Sequence, residues 1–579
     1  MSTRTASPAP ALRQPLTILK FGSSVLRSPA DLPAAVDEIY RRLRAGERVV
    51  AVVSAFAGET DELLAAAREA GGDGEPHVVA ELVATGETRS AALLTLALDR
   101  HGVPARLLDP TALGLRAEGP ALDAELTGLD TEALERAFTQ AHVAVVPGFC
   151  ARDELGRTVL LGRGGSDFTA LFIAERAGGH CVLVKDVDGL YERDPALPGP
   201  RPRRLTVATW DDSLRVAGKL VQPKTIRFAQ QHRQSFTVGA VGAAHGTLIG
   251  PGPTRTEGSS VAEPLDVVLL GLGTVGRGVY ERLAAHPGNF RIRHIVVRET
   301  ARHVAAGVPA ALLTTDAEAA LASGCDLVIE LLGGLEPAGS LIERALANGA
   351  RVVTANKAVV ATRWGALAGY AASGQLAFAA AAGGAVPVLE TLQSLADAGS
   401  VRSVRAVING TCNFILDELT RGIAYADALA EAQALGFAER DPTADVSGLD
   451  AEHKLRLCSL AAWGREPDQL ERQGIDTVSA ALVEQGQAPG RALKLVASLR
   501  HEDGRVVARI APEVLPAEDF LAGARAEGNR AEITLADGNC VRLAGKGAGR
   551  WPTTAAVLGD VWNLSRAASV EAAAAAAAA

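Results

Sequence analysis

Apolar runs of strand length alternate with segments of helical periodicity along most of this chain. The runs read RVVAVVSA (48–55), HVAVVPGF (142–149) and CVLVKDV (181–187), then LDVVLLGLG (265–273), RIRHIVV (291–297), CDLVIELLG (325–333) and RVVTAN (351–356). Such runs predict strands, and the Ala-, Leu-, Arg- and Glu-rich segments between them predict helices. The alternation predicts two α/β units with largely parallel sheets.

The two units are separated by the stretch GPGPTRTEGSSVAEP, residues 250–264, which has almost no apolar residue. Its Gly, Pro, Ser and Thr content predicts a linker. With 579 residues, the chain is too long for one hydrophobic core, and roughly three or four domains are expected. The halves share no sequence period, which indicates a fusion of different units and not a repeat.

Composition and charge argue against several classes of function. The formal net charge of -9 disfavours a general nucleic-acid binder, because such proteins need a basic face to displace counterions. No apolar tract is long enough to span a bilayer and the first residues lack the apolar core of a signal peptide, so a cytoplasmic protein without a membrane partner is expected. Six scattered cysteines without a Cys-x-x-Cys pair disfavour structural zinc and a disulfide framework.

A candidate dinucleotide site lies in LDVVLLGLGTVGRGVYERL, where an apolar strand runs into Gly271-x-Gly273-x-x-Gly276 and then a helix. The first glycine permits a tight turn, the second lets the backbone approach a pyrophosphate, and the third allows close helix–strand packing. The motif alone is weak evidence in a chain with 60 glycines. The strand-turn-helix context on both sides makes the prediction specific.

The end of the following strand bears on which dinucleotide is bound. An NAD enzyme carries an acidic residue there for the ribose hydroxyls, whereas this strand ends on Arg298 followed by Glu299. A guanidinium suits the 2′-phosphate of NADP, so NADP is favoured, and Glu299 keeps NAD open. The alternative is that Arg298 is only a solvated strand end.

A second candidate site is the acidic segment GFAERDPTADVSGLDAEHKL, residues 436–455. Asp450 and Lys454 lie four residues apart on one face of a predicted helix, where such pairs are most often solvent-facing salt bridges. Only a partner site elsewhere in the chain can favour a functional interpretation. Lys357 follows Asn356 at the carboxyl end of the strand RVVTAN, where parallel sheets bind ligands, and it is expected near the nicotinamide.

The first half has its own candidate, the run Gly162-Arg163-Gly164-Gly165-Ser166-Asp167. Glycines let backbone N–H groups cradle an anion, Arg163 offers a planar fork for a carboxylate, and Asp167 can bind an ammonium group. The alternative is an ordinary glycine turn. No G-x-x-x-x-G-K-[ST] occurs, so this is not a Walker nucleotide site.

The second half resembles homoserine dehydrogenase. GLGTVGRG, ELLGGLEPA, TANKA, AAAAGGAVP, VINGTCNFIL, GFAERDPTADVSGLDAEHK and GKGAG occur in the order and spacing of that family, over residues 264 to about 566. The resemblance implies reduction of aspartate 4-semialdehyde to homoserine by hydride from NADP or NAD. The acidic segment then holds the substrate's ammonium group and orients the lysines, while Lys357 or Lys454 polarises the carbonyl.

The resemblance implies roles for individual residues, position by position. The implied catalytic residues are Lys357, Asp450 and Lys454, and the implied substrate-binding residues are Asn409, Gly410, Thr411, Glu439 and Asp445. The cofactor-binding residues are Gly271, Gly273, Thr274, Val275, Gly276, Arg298, Asn356 and Lys357. Cys412 stands where threonine is usual. A sodium ion is implied on the main-chain carbonyls of Ala379, Ala382, Gly384 and Val386, although Ala379 replaces a usual glutamate.

The first half resembles aspartokinase of the amino-acid-kinase fold, over residues 15 to about 250, through LTILKFGSSVL, VVSAFAGETDEL, VATGETRSA, LLGRGGSDFTA and VLVKDVDGLYERDP. The resemblance implies that Lys20 neutralises the transferring phosphoryl group of ATP, with Mg²⁺. The residues implied to bind aspartate are Thr60, Glu87, Arg163 and Asp167, and those implied to face ATP are Gly22, Asp186, Tyr191 and Lys219.

Three departures from the aspartokinase pattern lie on the nucleotide side. Ser23 replaces a second glycine, Lys185 replaces a threonine, and Ala196 replaces an arginine. Two hypotheses stay open: a bifunctional enzyme, or a homoserine dehydrogenase with a degenerate kinase-like domain for scaffolding or ligand sensing. The ACT domains that usually lie between the two catalytic parts are absent from this linker, so feedback by threonine or lysine through such domains is not expected.

The expected architecture is an α/β chain with an amino-acid-kinase-like α/β/α sandwich, a Rossmann domain and an α+β homoserine dehydrogenase substrate and dimerisation domain. The expected divisions are a disordered tail (1–14), the kinase-like domain (15–250), the linker (251–263), the Rossmann domain (264–378), the substrate domain (379–544), a helix returning to the Rossmann domain (545–566) and an Ala-rich tail (567–579), to which no function is assigned. The resemblance further implies a homodimer or homotetramer acting on small molecules.

Overall fold

The computed structural model describes residues 14–71, 74–195, 197–198, 202–218, 220–243, 245–257, 263–397, 401–435, 437–438, 440–547 and 549–578. The predicted N-terminal tail lies outside the described residues, except for its last residue. The chain forms two compact units, residues 14–257 and residues 263–568, with 101–103 grouped with the second.

The first unit contains short parallel strands joined by helices. Its strands are β1 (Leu16–Phe21), β2 (Arg48–Val53), β3 (Ala105–Leu107), β4 (Arg116–Glu118), β5 (Glu125–Gly128), β6 (Val143–Pro147), β7 (Cys150–Arg152), β8 (Thr158–Leu160), β9 (His180–Lys185), β10 (Leu205–Ala208), β11 (Phe236–Ala240), β12 (Thr247–Ile249) and β13 (Arg255–Thr256). Its helices are α1 (Leu32–Arg44), α2 (Glu59–Gly71), α3 (Pro76–Arg100), α4 (Thr131–Phe138), α5 (Gly165–Ala177), α6 (Trp210–Val216) and α7 (Pro223–Gln231).

The main sheet of this unit has the order β13-β10-β12-β11-β9-β1-β2-β6-β3. Strands β9, β1, β2 and β6 are parallel neighbours at its centre, and their residues are buried almost throughout. Because parallel strands end at one edge, the residues that follow β1 and β9 come together there. A smaller sheet, β5-β4-β7-β8, was not expected from the sequence.

The second unit begins with another parallel sheet and continues into an antiparallel one. Its strands are β14 (Leu265–Leu270), β15 (Phe290–Val296), β16 (Leu313–Thr314), β17 (Leu327–Glu330), β18 (Arg351–Thr354), β19 (Leu376–Ala377), β20 (Val401–Val407), β21 (Gln469–Arg472), β22 (Arg491–Glu502), β23 (Arg505–Pro516), β24 (Gly528–Leu535) and β25 (Cys540–Lys546).

The helices of the second unit alternate with these strands. They are α8 (Thr274–Ala284), α9 (Thr300–Ala305), α10 (Ala317–Ala322), α11 (Ala338–Ala347), α12 (Lys357–Thr362), α13 (Trp364–Ala372), α14 (Val388–Asp397), α15 (Gly410–Thr420), α16 (Tyr425–Ala434), α17 (Thr443–Val446), α18 (Leu449–Trp463), α19 (Ala480–Gln487) and α20 (Arg550–Ala578).

The parallel sheet has the order β16-β15-β14-β17-β18-β19. Numbered within the sheet, this is the 3-2-1-4-5-6 order of a dinucleotide-binding fold, in which ligands bind where the order reverses beside the first strand. That first strand is β14, and it is followed by the glycine turn of the sequence motif.

The second sheet, β21-β23-β22-β20-β24-β25, carries α15 and α18 on one face. The last helix, α20, packs back against the parallel part: Trp562 meets the Phe290 ring edge-on at 4.8 Å between centroids. Arg550 at its start pairs with Glu281 of α8 at 3.5 Å. Its later residues extend through the alanine run.

The predicted fold class is confirmed, and the apolar runs quoted from the sequence form β2, β6, β9, β14, β15, β17 and β18. The predicted linker differs in one respect. Its residues Arg255–Thr256 form β13, which pairs with β10 at the edge of the first sheet, while 258–262 lie outside the described residues. In the described part of the chain, no helix combines the length and apolar character needed to cross a bilayer.

Candidate active sites

The glycine turn after β14 has the geometry that a dinucleotide requires. Gly271 has φ +98°, and a Cβ there would stand 2.7 Å from the carbonyl oxygen of Leu331. A Cβ on Gly276 would collide with the carbonyl oxygen of Gly271. A Cβ on Gly273 would meet nothing within 4 Å. Gly271 and Gly276 are thus needed for packing. Gly273 leaves open space at the start of α8, which suits the approach of a pyrophosphate.

Glu330 supports the neighbouring strand end and was not singled out from the sequence. Its carboxylate is fully buried and accepts hydrogen bonds from the Leu332 N–H at 2.8 Å and the Thr354 hydroxyl at 2.6 Å. Asn356 caps α12 through the Val359 N–H and donates to the Gly334 carbonyl at 2.7 Å. The only sequence signal for Glu330 is a carboxylate that ends an apolar strand.

The predicted catalytic residues meet around one carboxylate. Asp450, in the first turn of α18, contacts Lys357 Nζ through Oδ1 and lies 2.7 Å from Lys454 Nζ through Oδ2. Lys454 also donates to the Ile408 carbonyl at 2.8 Å. The side chains of Asp450 and Lys454 are 7% and 11% exposed. The pair is therefore not the solvent-facing salt bridge that its spacing alone suggests.

Asn409 joins this centre to a second carboxylate. Its amide donates to Asp445 Oδ1 at 2.7 Å and to Asp450 Oδ2 at 2.9 Å. Its own Oδ1 accepts from the Cys412 N–H at 2.8 Å, which caps α15. The Asn409 amide group thus donates hydrogen bonds to two carboxylates, and it orients the side chains of Asp445 and Asp450 in addition to any direct contact with substrate.

The two carboxylates differ in acidity. Burial opposes ionisation of Asp450, but the charges of Lys454 and Lys357 outweigh it and hold the pKa of Asp450 below its usual range. Burial raises the pKa of Asp445, which the hydrogen bond from Asn409 partly offsets and the charge of Asp450 reinforces. Neighbouring groups whose pKa values are pushed apart are typical of acid–base sites.

The other predicted substrate residues lie around this centre. Gly410 packs tightly: a Cβ there would stand 2.9 Å from Glu527 Cα. The Thr411 hydroxyl donates to the Phe437 carbonyl at 2.7 Å, and Cys412 Sγ contacts the Asp445 carbonyl at 3.1 Å. Glu439 lies outside the described residues. Arg298 is exposed just after β15, and Thr274 and Val275 begin α8.

The predicted cation loop is buried and tightly packed. Gly383 and Gly384 have φ values of +88° and +57°, and a Cβ on either would collide with a carbonyl oxygen, of Val386 or Gly547. The carbonyls of Ala379 and Val386 each accept a main-chain N–H, which leaves each a second lone pair. Oxygen ligands of this kind fit a hard cation. The predicted ligands Ala379, Ala382, Gly384 and Val386 are all buried.

The candidate site of the first unit centres on Asp167, the third residue of α5. Lys20 Nζ, near the end of β1, lies 2.8 Å from Asp167 Oδ1, and Lys185 Nζ, at the end of β9, donates to Oδ2 at 2.8 Å. Both oxygens of Asp167 therefore face lysines, whereas the sequence predicts that they bind an ammonium group of aspartate. Lys185 contacts the same carboxylate as Lys20, a contact that the sequence did not predict.

Glu87 is a second buried carboxyl in this unit. Its Oε1 accepts the Ala55 N–H at 3.3 Å, while Oε2 has no hydrogen-bond partner among the described residues. Burial raises the pKa of Glu87 to about 7, against the opposing hydrogen bond from Ala55 and the charge of Lys20. A buried carboxyl oxygen without a partner in the protein can accept a hydrogen bond from water or from a ligand.

The remaining kinase-site predictions are scattered. Thr60 is half-buried in the first turn of α2. Arg163 is exposed in the turn before α5, and Asp186 is exposed just after β9.

The ammonium group of Lys20 lies against Gly22, where a Cβ would stand 2.6 Å from Nζ. The Tyr191 hydroxyl donates to Asp188 at 2.5 Å. Lys219 and Ala196 lie outside the described residues.

Glu87→Gln should stabilise the protein at alkaline pH. Because the pKa of Glu87 is about 7 in the folded state against an ordinary 4.5, the stability that comes from burying the neutral acid is complete below pH 4.5 and lost as pH rises through 7. The loss is at most about 3 kcal/mol. Calorimetry should show a higher midpoint for Glu87→Gln than for wild type at pH 8 and equal midpoints at pH 4. Equal midpoints at both pH values, or the same gain from exposed Glu81→Gln on the same helix, would contradict the interpretation.

The comparisons with known proteins agree with the domain types predicted for the two halves of the chain. Residues 15–235 match the family described as Amino acid kinase family, 271–379 match Homoserine dehydrogenase, NAD binding domain, and 387–562 match Homoserine dehydrogenase. The homoserine dehydrogenase of Corynebacterium glutamicum is 37% identical over 333 residues, which are 54% of this chain and 75% of that protein. That of Mycobacterium tuberculosis is 38% identical over 323 residues, 52% and 73%.

A crystal structure of a homoserine dehydrogenase from Thiobacillus denitrificans is 34% identical, covers 53% of this chain and 74% of that chain, and has a TM-score of 0.49. The family matches and the sequence identity to the Corynebacterium glutamicum protein confirm the resemblances drawn from the sequence motifs, at the level of family and domain type. The chain belongs to the homoserine dehydrogenase family, and an amino acid kinase domain precedes its dehydrogenase domains in the same polypeptide.

Proposed function

We propose that this chain is a bifunctional enzyme that interconverts aspartate 4-semialdehyde and homoserine in its second unit and phosphorylates aspartate in its first. The observation that supports the dehydrogenase assignment best is the pair of lysines held by buried Asp450 in a unit whose first strand ends in an open glycine turn. NADP, Mg²⁺ with ATP, and sodium are part of the proposal.

The lysines of the dehydrogenase site supply positive charge and a hydrogen-bond donor to the substrate oxygen. When bound, the nicotinamide cofactor supplies or accepts the hydride. Lys454 is held by Asp450 and the Ile408 carbonyl, so one N–H of its ammonium group remains for a substrate oxygen. A fixed cation in a partly dry site stabilises the alkoxide that develops on reduction more than the carbonyl that precedes it. The Lys357 side chain is 38% exposed and contacts the same carboxylate, that of Asp450. Its ammonium group adds a second positive charge beside the substrate.

The kinase residues act chiefly through charge. Phosphoryl transfer depends on positioning and neutralisation of the phosphate oxygens. Lys20 is a buried cation beside the turn at Gly22, and the glycine turn before α5 presents a helix N-terminus to the same region. When bound, ATP with Mg²⁺ supplies the phosphoryl group.

A second candidate function has an observation in its favour. Ser23 stands in the turn after β1, where the resemblance to aspartokinase implies a glycine, and the oxygens of Asp167 face two lysines. Both features suit a kinase-shaped domain that binds an anion without transferring it. In that case the chain is a homoserine dehydrogenase with a ligand-sensing or scaffolding first unit.

One purified preparation of the full chain decides between the two. We expect homoserine-dependent reduction of NADP⁺, and aspartate- and ATP-dependent formation of aspartyl hydroxamate in the presence of hydroxylamine and Mg²⁺. Homoserine oxidation without hydroxamate would select the second candidate function. Absence of homoserine oxidation with both NADP⁺ and NAD⁺ would contradict the dehydrogenase assignment.

Arg298→Ala should weaken NADPH and spare NADH. Arg298 is exposed two residues after the end of β15, where a guanidinium can bind the 2′-phosphate that only NADPH carries. Loss of one charge-assisted contact predicts a KM for NADPH about tenfold higher, with the KM for NADH changed less than about twofold. Arg291→Ala, at the opposite end of the same strand, is the matched control. Equal weakening of both cofactors by Arg298→Ala would remove it as the 2′-phosphate contact.

Sodium and assembly complete the proposal. The sodium site implied by the sequence resemblance uses main-chain carbonyls of the loop that contains Gly383 and Gly384, and oxygen ligands suit a hard cation. We expect dehydrogenase activity to rise with sodium relative to a tetraalkylammonium salt of equal ionic strength. The homodimer or homotetramer implied by the sequence resemblance is tested by light scattering of the same preparation.

A further inference from the structure

The kinase half contains a buried lysine, Lys185, that has no role in the proposed phosphoryl transfer as described above. Lys185 ends β9, and β9 runs parallel to β1 with Leu183 opposite Lys20 and Val184 opposite Phe21. Both lysines thus project from the same edge of the sheet. Lys20 and Lys185 are 6% and 7% exposed, and Asp167 between them is 4% exposed. The three charges form one buried group.

The charges in this group do not balance. Asp167 gives one carboxylate to two ammonium groups, at 2.8 Å from each. Glu87 is a further buried carboxyl whose charge acts on Lys20, and burial raises its pKa to about 7, which leaves it only partly ionised at neutral pH. Burying an uncompensated charge is costly, so such a group is completed by a ligand of opposite sign. The missing partner here is an anion.

The surroundings indicate the chemistry of that anion. Asp167 lies in the first turn of α5, whose N-terminal N–H groups have no intrahelical partners. The preceding turn has Gly162 and Gly164 at φ +70° and +82°. A helix N-terminus behind a glycine turn binds phosphate groups, and here two ammonium groups lie beside it. A phosphoryl group satisfies all of these donors.

We propose that Lys185, together with Lys20, binds the phosphoryl group in the kinase half, with Asp167 holding the two ammonium groups in position. The inference rests on the proposed phosphoryl-transfer function of this unit. The inference also gives Lys185 a role in the site. Lys185 stands at a position where aspartokinase-like sequences have threonine, and it supplies a second cation, so the replacement does not impair the site.

The test is binding of pyrophosphate to the full chain, measured by titration calorimetry, with hydroxamate formation as the second readout. Lys185→Met should weaken pyrophosphate binding at least about tenfold, as expected for loss of one ammonium–phosphate contact. Lys185→Arg should recover most of it. Arg176→Met, which removes one positive charge from the far end of α5, should bind like wild type.

A second pair of variants separates ligand binding from charge balance. Asp167→Asn removes the carboxylate that contacts both ammonium groups, and its affinity for pyrophosphate is the reference for the next comparison. If Lys185 contacts the anion, the double variant Asp167→Asn with Lys185→Met binds at least about tenfold more weakly than Asp167→Asn alone. Equal affinities of these two proteins would overturn the inference, as would wild type that does not bind pyrophosphate.

The outcomes also separate this inference from the proposed kinase activity. Lys185-dependent pyrophosphate binding without any hydroxamate would support the anion site and contradict the kinase reaction. Normal hydroxamate formation and normal pyrophosphate affinity in Lys185→Met would support the kinase reaction and contradict the role of Lys185.

Discussion

Lys454→Met is expected to lower the turnover of homoserine oxidation by about 10²–10³-fold, the usual effect of removing one preorganised donor from a developing oxyanion. The side chain is 11% exposed and fixed by Asp450 at 2.7 Å and the Ile408 carbonyl at 2.8 Å. Methionine keeps most of the buried volume, so the packing of α18 changes little. The loss should therefore appear in kcat, and the protein should remain folded because Asp450 keeps Lys357 as a partner.

Arg456→Met is the matched control for this variant. Arg456 lies two residues further along α18, where it pairs with Glu452 and Glu466 on a more exposed face. It should keep turnover within about twofold of wild type, because a partly exposed ion pair contributes little. Near-normal turnover in Lys454→Met would return Lys454 to the structural ion pair that its i,i+4 spacing suggests.

The sequence predicted the parts of the dehydrogenase site that are local in the chain. The glycine spacing of Gly271, Gly273 and Gly276 requires a strand, a turn and a helix in immediate succession, and the structure has them. The i,i+4 relation of Asp450 and Lys454 also follows from helix geometry. What no local pattern contains is that Lys357 contacts the same carboxylate across 93 positions of sequence. That contact depends on how α12 packs against α18.

Asn409 shows the same limit at finer scale. The motif around it predicts a substrate loop, but the direction of its amide is set by Asp445 and Asp450, which reach it from another segment. In the kinase half, Lys185 departs from the residue usual in aspartokinase, and the sequence predicts only that this departure lies on the nucleotide side. The register of β9 against β1 places it beside Lys20 instead, and register is a property of the sheet that the single run CVLVKDV does not determine.

Lys20→Met is expected to abolish hydroxamate formation, with a fall of at least about 10²–10³-fold, and to leave homoserine oxidation within about twofold of wild type. Burial lowers the pKa of Lys20 despite the opposing charge of Asp167, and Lys185 lowers it further. Lys20 is 6% exposed, and the charge of Asp167 at 2.8 Å favours its ammonium form, which acts strongly on phosphate oxygens because little water screens it.

The reciprocal variant makes this result specific. Lys454→Met should lose homoserine oxidation and keep hydroxamate formation, so the two substitutions together assign one reaction to each unit. Because methionine at residue 20 leaves Asp167 paired with Lys185 at 2.8 Å, the first unit keeps a compensated carboxylate and should remain folded. Hydroxamate that persists in Lys20→Met would mean that Lys20 does not neutralise the transferring phosphoryl group. It would also contradict the proposal that Lys20 and Lys185 bind this group together.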